Sequence, residues 1–121
     1  MGSVHSKEAS LCKSAYIAAK HGLLGLTRAL AKEGGPDLIR SNLVCPGFVL
    51  TPLVEKQIPE QAAKLGITEE QVISQVMLAN TVDKQFTTIE EVSRTCCFLA
   101  DSNSCSLTGQ SLTVSHGWNM S

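Results

Sequence analysis

The sequence predicts an α/β fold built on a parallel sheet, and three observations point there. Short β-prone runs alternate with longer stretches of helical periodicity, the order that strand–helix–strand crossovers require. Two capping boxes, Thr68-Glu69-Glu70-Gln71 and Thr88-Ile89-Glu90-Glu91, mark helix starts between those runs. The balance of 43% apolar and 17% charged residues over 121 positions is that of one folded domain.

Taken in order, Ser14 to Lys32 sets Ala15, Ala18, Ala19, Gly22, Leu23, Leu26, Leu30 and Ala31 at helical spacing. Ser14 is the expected N-cap, and Gly34-Gly35-Pro36 is the expected stop. The small apolar face suits a helix-to-helix contact. Ile39 to Cys45 reads as a buried strand halted by Pro46-Gly47. After Thr51-Pro52 the chain is polar and weakly helical. The first capping box then opens a helix bearing Val72, Ile73, Val76 and Met77. The second opens one through Leu99, with Val92, Cys96 and Leu99 on one face. A turn at Leu107-Thr108-Gly109 leads into a strand from Gln110 to Val114.

Composition excludes several function classes. A net charge of −1 gives no basic footprint for nucleic acid or anionic lipid, and 4% aromatics give no stacking platform. No apolar run approaches the roughly 20 residues of a membrane span. Cys12, Cys45, Cys96, Cys97 and Cys105 are odd in number and lack a C-x-x-C pair, so buried thiols in a reducing, cytoplasmic setting are expected. His5, Cys12, His21 and His116 form no paired motif for zinc, so no metal is expected.

Tyr16 and Lys20 stand four apart in the first helix and share a face. An ammonium nearby and the positive end of a helix both favour the phenolate, which fits a tyrosine for proton exchange with an alcohol. By itself Y-x-x-x-K is a weak signal, since a plain helix surface yields it too. Its surroundings strengthen it. Ser3 lies thirteen residues before Tyr16, Cys45-Pro46-Gly47-Phe48-Val49-Leu50-Thr51-Pro52 follows a strand, and Thr108-Gly109-Gln110 precedes another. Across essentially the whole chain, this set resembles the short-chain dehydrogenase/reductase family. The stretches Ser3-Val4-His5, Lys13 to Gly22 and Val49 to Ile58 look like the D-3-hydroxybutyrate dehydrogenases within it.

The resemblance implies hydride transfer with a proton relay and NAD as cofactor. Tyr16 would be the acid/base, Lys20 its partner and a ribose ligand, and Ser3 the donor that orients the reacting oxygen. His5, Lys13 and Gln57 would hold the substrate carboxylate. Pro46, Gly47, Val49 and Thr51 would shape the nicotinamide pocket, with residues 52–80 as a substrate lid. The family's V-D-G-G-like stretch reads here Val114-Ser115-His116-Gly117, which puts subunit packing in doubt and leaves His116 exposed or at an interface.

The Gly-rich pyrophosphate turn, and the residue that tells a ribose hydroxyl from a 2′-phosphate, have no counterpart in the sequence. The resemblance thus implies the C-terminal half of a Rossmann-like doubly wound parallel sheet, its N-terminal nucleotide-binding half absent, with residues 1–121 as one partial domain. Open strand edges and an uncovered helix face would leave the isolated chain marginally stable or prone to associate, and inactive alone. Three functions follow: a dehydrogenase of short hydroxy acids, homo-oligomeric at full length; a related enzyme for another secondary alcohol or ketone; or a truncated, non-catalytic chain acting as an interaction module.

Overall fold

Two strands lie parallel, β1 (Leu43–Pro46) and β2 (Ser111–Val114), with Leu43 opposite Ser111 and Pro46 opposite Val114. The computed structural model describes residues 1–101 and 105–121. The sheet is parallel as expected, but β1 begins later than Ile39. Side chains intervene before it: Ser41 N–H donates to Thr108 Oγ1 at 3.1 Å, and Asn42 Oδ1 accepts Gln110 N–H at 3.0 Å. One backbone bond, Gly109 N–H to the Ser41 carbonyl at 2.7 Å, precedes the strand, and regular pairing starts at Leu43. Every β1 residue is buried, as in a strand covered on both faces.

Ahead of the sheet, Gly2 N–H donates to the Val44 carbonyl at 2.7 Å. A Cβ on Gly2 would meet Leu43 Cδ2 and Ser6 Oγ at 2.9 Å, so glycine permits this close approach. The chain then enters a 3₁₀ turn, Val4–Ser6, and the long helix α1, Ser14–Gly34. Its N-cap is Lys13 rather than Ser14, without a side-chain bond. A 3₁₀ turn at Gly35–Asp37, with Pro36 near its start, ends the helix.

Much of the small apolar face of α1 is left uncovered among the described residues. Thr27 and Ala31 are buried, whereas Leu26 and Leu30 are 53% and 45% exposed. A helix about 31 Å long cannot be covered by two strands about 5 Å apart.

The polar stretch after Thr51 is a full helix, α2 (Pro52–Leu65). Strong end signals outweigh its composition: Thr51 Oγ1 accepts Val54 N–H, Pro52 occupies the first position, and Gly66 closes the end at φ 66°. Thr68 and Gln71 cap α3 (Glu69–Gln71) reciprocally, as expected. The chain continues as a π-helical turn, Val72–Met77. Five-residue hydrogen bonding aligns Val72 and Met77, both essentially inaccessible, and turns Val76 outward to 43% exposure. Val72 and Met77 join Ile58 and Leu78 in the hydrophobic core, with Phe48, Val54 and Phe86 packed against it.

In α4 (Ile89–Asp101), Glu91 accepts Thr88 N–H at 2.7 Å and its own N–H reaches Thr88 Oγ1. Leu99 is buried, and Arg40 donates to its carbonyl at 2.8 Å, tying α4 beside β1. The expectation of buried thiols fails. All five cysteines are free, but only Cys45, inside β1, is buried; Cys12, Cys97 and Cys105 lie on outward surfaces and are exposed. Among the described residues, no helix is long and apolar enough to cross a membrane.

Candidate active site

The first wall of the site is the turn after Gly2. Ser3 Oγ accepts His5 N–H and Ser6 Oγ accepts Ser3 N–H, each at 3.2 Å, so the turn is closed by its own serines. Ser3 and His5 are thereby buried. The second wall is the chain leaving β1. Gly47 N–H holds the Val114 carbonyl at 3.0 Å, Val49 forms a bridge with Thr87, and Thr51 caps α2.

Between them lies a cleft of about 420 Å³. It brings together Ser3, His5, Lys13, Tyr16, Gly47, Val49 and Thr51, which are far apart in sequence. Lys20, Pro46 and Gln57 are not part of its lining. Lys20 Nζ sits 5.5 Å from the Tyr16 ring centroid and donates to the Met1 carbonyl at 3.3 Å. Pro46 is buried in β1, and Gln57 is a half-buried residue of α2.

The sequence reading missed four lining residues: Val4, Phe48, Val54 and Trp118. Trp118 stacks on Phe48 at 5.5 Å and meets His5 edge-on at 5.7 Å, while Tyr16 meets His5 edge-on at 6.0 Å. The lone tryptophan of a chain so poor in aromatics was the available signal.

Burial holds the His5 imidazole below its ordinary pKa, and the Lys13 charge pushes in the same direction. Among the described residues, the buried side-chain nitrogens without a hydrogen-bond partner are His5 Nδ1 and Trp118 Nε1. Both residues line this cleft. Unpaired buried polar atoms are costly, and a ligand that supplies them with partners gains what they lack.

Trp118 comes from the segment after β2. There His116, expected to be exposed or at an interface, is half-buried and engaged within the chain. Its Nδ1 lies 2.7 Å from Asp83 Oδ2 and its Nε2 3.7 Å from Glu91 Oε2. The His116 hydrogen bond holds the Asp83 carboxyl below its usual range. Glu91 is also lowered, first by the backbone and hydroxyl bonds from Thr88 and then by His116.

Known proteins resemble the chain in sequence and in fold. A family model described as Enoyl-(Acyl carrier protein) reductase matches residues 1–119. The D-beta-hydroxybutyrate dehydrogenase of Rhizobium meliloti is 48% identical over 98% of this chain and 46% of its own length. The enzyme of the same name from Cupriavidus necator is 38% identical over the same shares. Among solved structures, a short chain dehydrogenase family protein from Francisella tularensis superposes with a TM-score of 0.87 at 26% identity, covering 97% of this chain and 48% of that one. Sorbitol-6-phosphate 2-dehydrogenase from Erwinia amylovora also gives 0.87, at 32% identity, covering 98% and 46%. The chain spans about half the length of the curated relatives it matches. The Rossmann-like reading of the parallel sheet stands with these likenesses. On the family model and the relatives together, the chain belongs to the short-chain dehydrogenase/reductase family.

Proposed function

We propose that the protein is an NAD-linked oxidoreductase that interconverts 3-hydroxybutyrate and acetoacetate. One observation carries this: Ser3, Tyr16, His5 and Lys13 line a single cleft in which His5 Nδ1 has no partner. The names of the two bacterial relatives support the substrate class.

Tyr16 exchanges a proton with the reacting oxygen of the substrate. Ser3 Oγ already accepts the His5 N–H, so its hydroxyl proton is available to orient that oxygen. Lys13 supplies positive charge for the carboxylate, and His5 offers a directional contact beside it. Gln57 joins them when the region 52–80 closes over the cleft and excludes water.

The donor set also fits the nicotinamide end of the cofactor. Thr51 Oγ1 accepts Val54 N–H, which leaves its hydroxyl proton for a carboxamide oxygen. Tyr16, with Lys20 beside its ring, would hold the ribose, while Gly47 and Val49 would shape the pocket and Pro46, buried in β1 behind them, would set their backbone. Bound there, the nicotinamide supplies or accepts the hydride.

A fluorescence titration with NADH, followed by turnover of 3-hydroxybutyrate, tests this reading. Tyr16→Phe is expected to lower turnover by about 10²- to 10⁴-fold and to weaken NADH binding far less. Absence of NADH binding at millimolar concentration would favour a second reading, a non-catalytic chain docking through α1. The exposure of Leu26 and Leu30 on that helix favours this alternative.

A further inference from the structure

His116 occupies a place where a side chain is out of character. Its φ of 50° lies in the left-handed region, which glycine adopts freely and other residues seldom do. The ring nevertheless has two anchors on two different elements. Asp83 belongs to the loop after the core residue Leu78, and Glu91 to the first turn of α4, where Thr88 fixes it. The backbone adds a third tie, as the His116 carbonyl accepts Val82 N–H at 2.9 Å.

Two residues on, Trp118 forms a wall of the cleft. Its backbone N–H donates to the Ser115 carbonyl at 3.0 Å, closing a short turn that contains His116. The far end is also fastened: the Lys7 ammonium donates to the Ser121 carbonyl and, at 3.1 Å, to Thr113 Oγ1. The segment 115–121 is thus a strap held at both ends, with the indole between them.

We propose that His116 is a positioning residue: its ring, gripped by Asp83 and Glu91, sets the strap so that Trp118 stands against His5 and Phe48 as a wall of the substrate cleft. The contribution to substrate binding rests on the function proposed above; the placement of Trp118 does not.

Trp118 is the single tryptophan of the chain, so its fluorescence reports this placement directly. His116→Gly removes the ring while suiting the backbone. It should make Trp118 about twofold more quenchable by acrylamide and shift its emission to the red. His116→Asn tolerates the same φ and keeps a donor where Nδ1 was, so it should restore most of the protection. In the active protein, His116→Gly should raise KM for 3-hydroxybutyrate by about fivefold with kcat nearly unchanged.

Unchanged quenching in His116→Gly overturns the proposal, even if the variant melts earlier. Should that variant fail to fold by circular dichroism, Asp83→Asn decides by the same quenching: a rise supports the proposal and no change overturns it. A displaced Trp118 in a protein without dehydrogenase activity removes the substrate reading and leaves the positioning role standing.

Discussion

The cleft side of the molecule and the α1 side are built on different terms. Behind the cleft, in the turn, the strand and the core on which Phe48 and Val54 pack, Val4, Cys45, Val72, Met77 and Leu78 are each at most 1% exposed, and the serine turn closes on itself. Along α1, Leu26 and Leu30 face solvent, and only Thr27 and Ala31 are buried. The accessible surface is 7518 Å², about 1,200 Å² above what scaling gives for a compact chain of 12.9 kDa. An excess of that size approaches the total area of a specific protein interface. The cleft is thus lined by several separate segments of the chain, while the helix that carries Tyr16 and Lys20 leaves most of its length uncovered.

The widest test of this contrast compares substitutions on the two sides. Met77→Ala, at the inaccessible end of the π-helical turn, should cost about 2–5 kcal/mol in urea unfolding, because the surroundings cannot collapse onto the space left. The pair Leu26→Gln and Leu30→Gln should change stability by less than about 0.5 kcal/mol each. It should also reduce self-association, as read by size exclusion. A monomeric parent chain with a sharp transition, or a large loss of stability from the α1 pair, would break the comparison.

The same contrast explains how much was legible in advance. Features that depend on near neighbours came through, namely both capping boxes and α1, whereas the parallel pairing of β1 and β2, distant in sequence, followed from the alternation of strands and helices. Ser3 and Tyr16, picked out by spacing and a resemblance, lie on the lining of one cleft. What escaped was set by contacts distant in sequence or by an unusual helical period. Val72 and Met77 share a buried face because the helix is locally π, a period that the capping box opening an ordinary helix does not signal, and Val76 turns outward. Trp118 reaches the cleft through a turn after the last strand, and nothing near it in sequence signals His5 or Phe48. The strand starts later than its β-prone run because Thr108 and Asn42 side chains replace part of the regular backbone pairing there.

A smaller effect sharpens the cleft side alone. Lys13 lines the cleft but is itself exposed, so it contributes charge in a partly solvated setting. Lys13→Ala should raise KM for 3-hydroxybutyrate by about tenfold, roughly 1.4 kcal/mol of lost attraction. Turnover of an uncharged secondary alcohol should hardly change. Equal losses on both substrates would detach Lys13 from carboxylate recognition and favour an enzyme for another alcohol or ketone.

The subtlest test is the response to pH. His5 titrates below its ordinary value of 6.5, by burial first and the Lys13 charge second. The folded chain therefore holds this proton less readily than the unfolded chain, and stability rises with pH wherever the unfolded state binds more protons. The His5 contribution is complete above about pH 6.5 and declines as pH falls through the window below it, becoming constant under the folded value. Asp83 and Glu91, lowered from 3.8 and 4.5, act in the same direction but further into acid. Urea midpoints measured between neutral and mildly acidic pH separate the two windows. His5→Gln should flatten the upper slope and leave the acid limb intact. An unchanged upper slope would mean that the imidazole is not desolvated, and the cleft wall would then be as open to water as the face of α1.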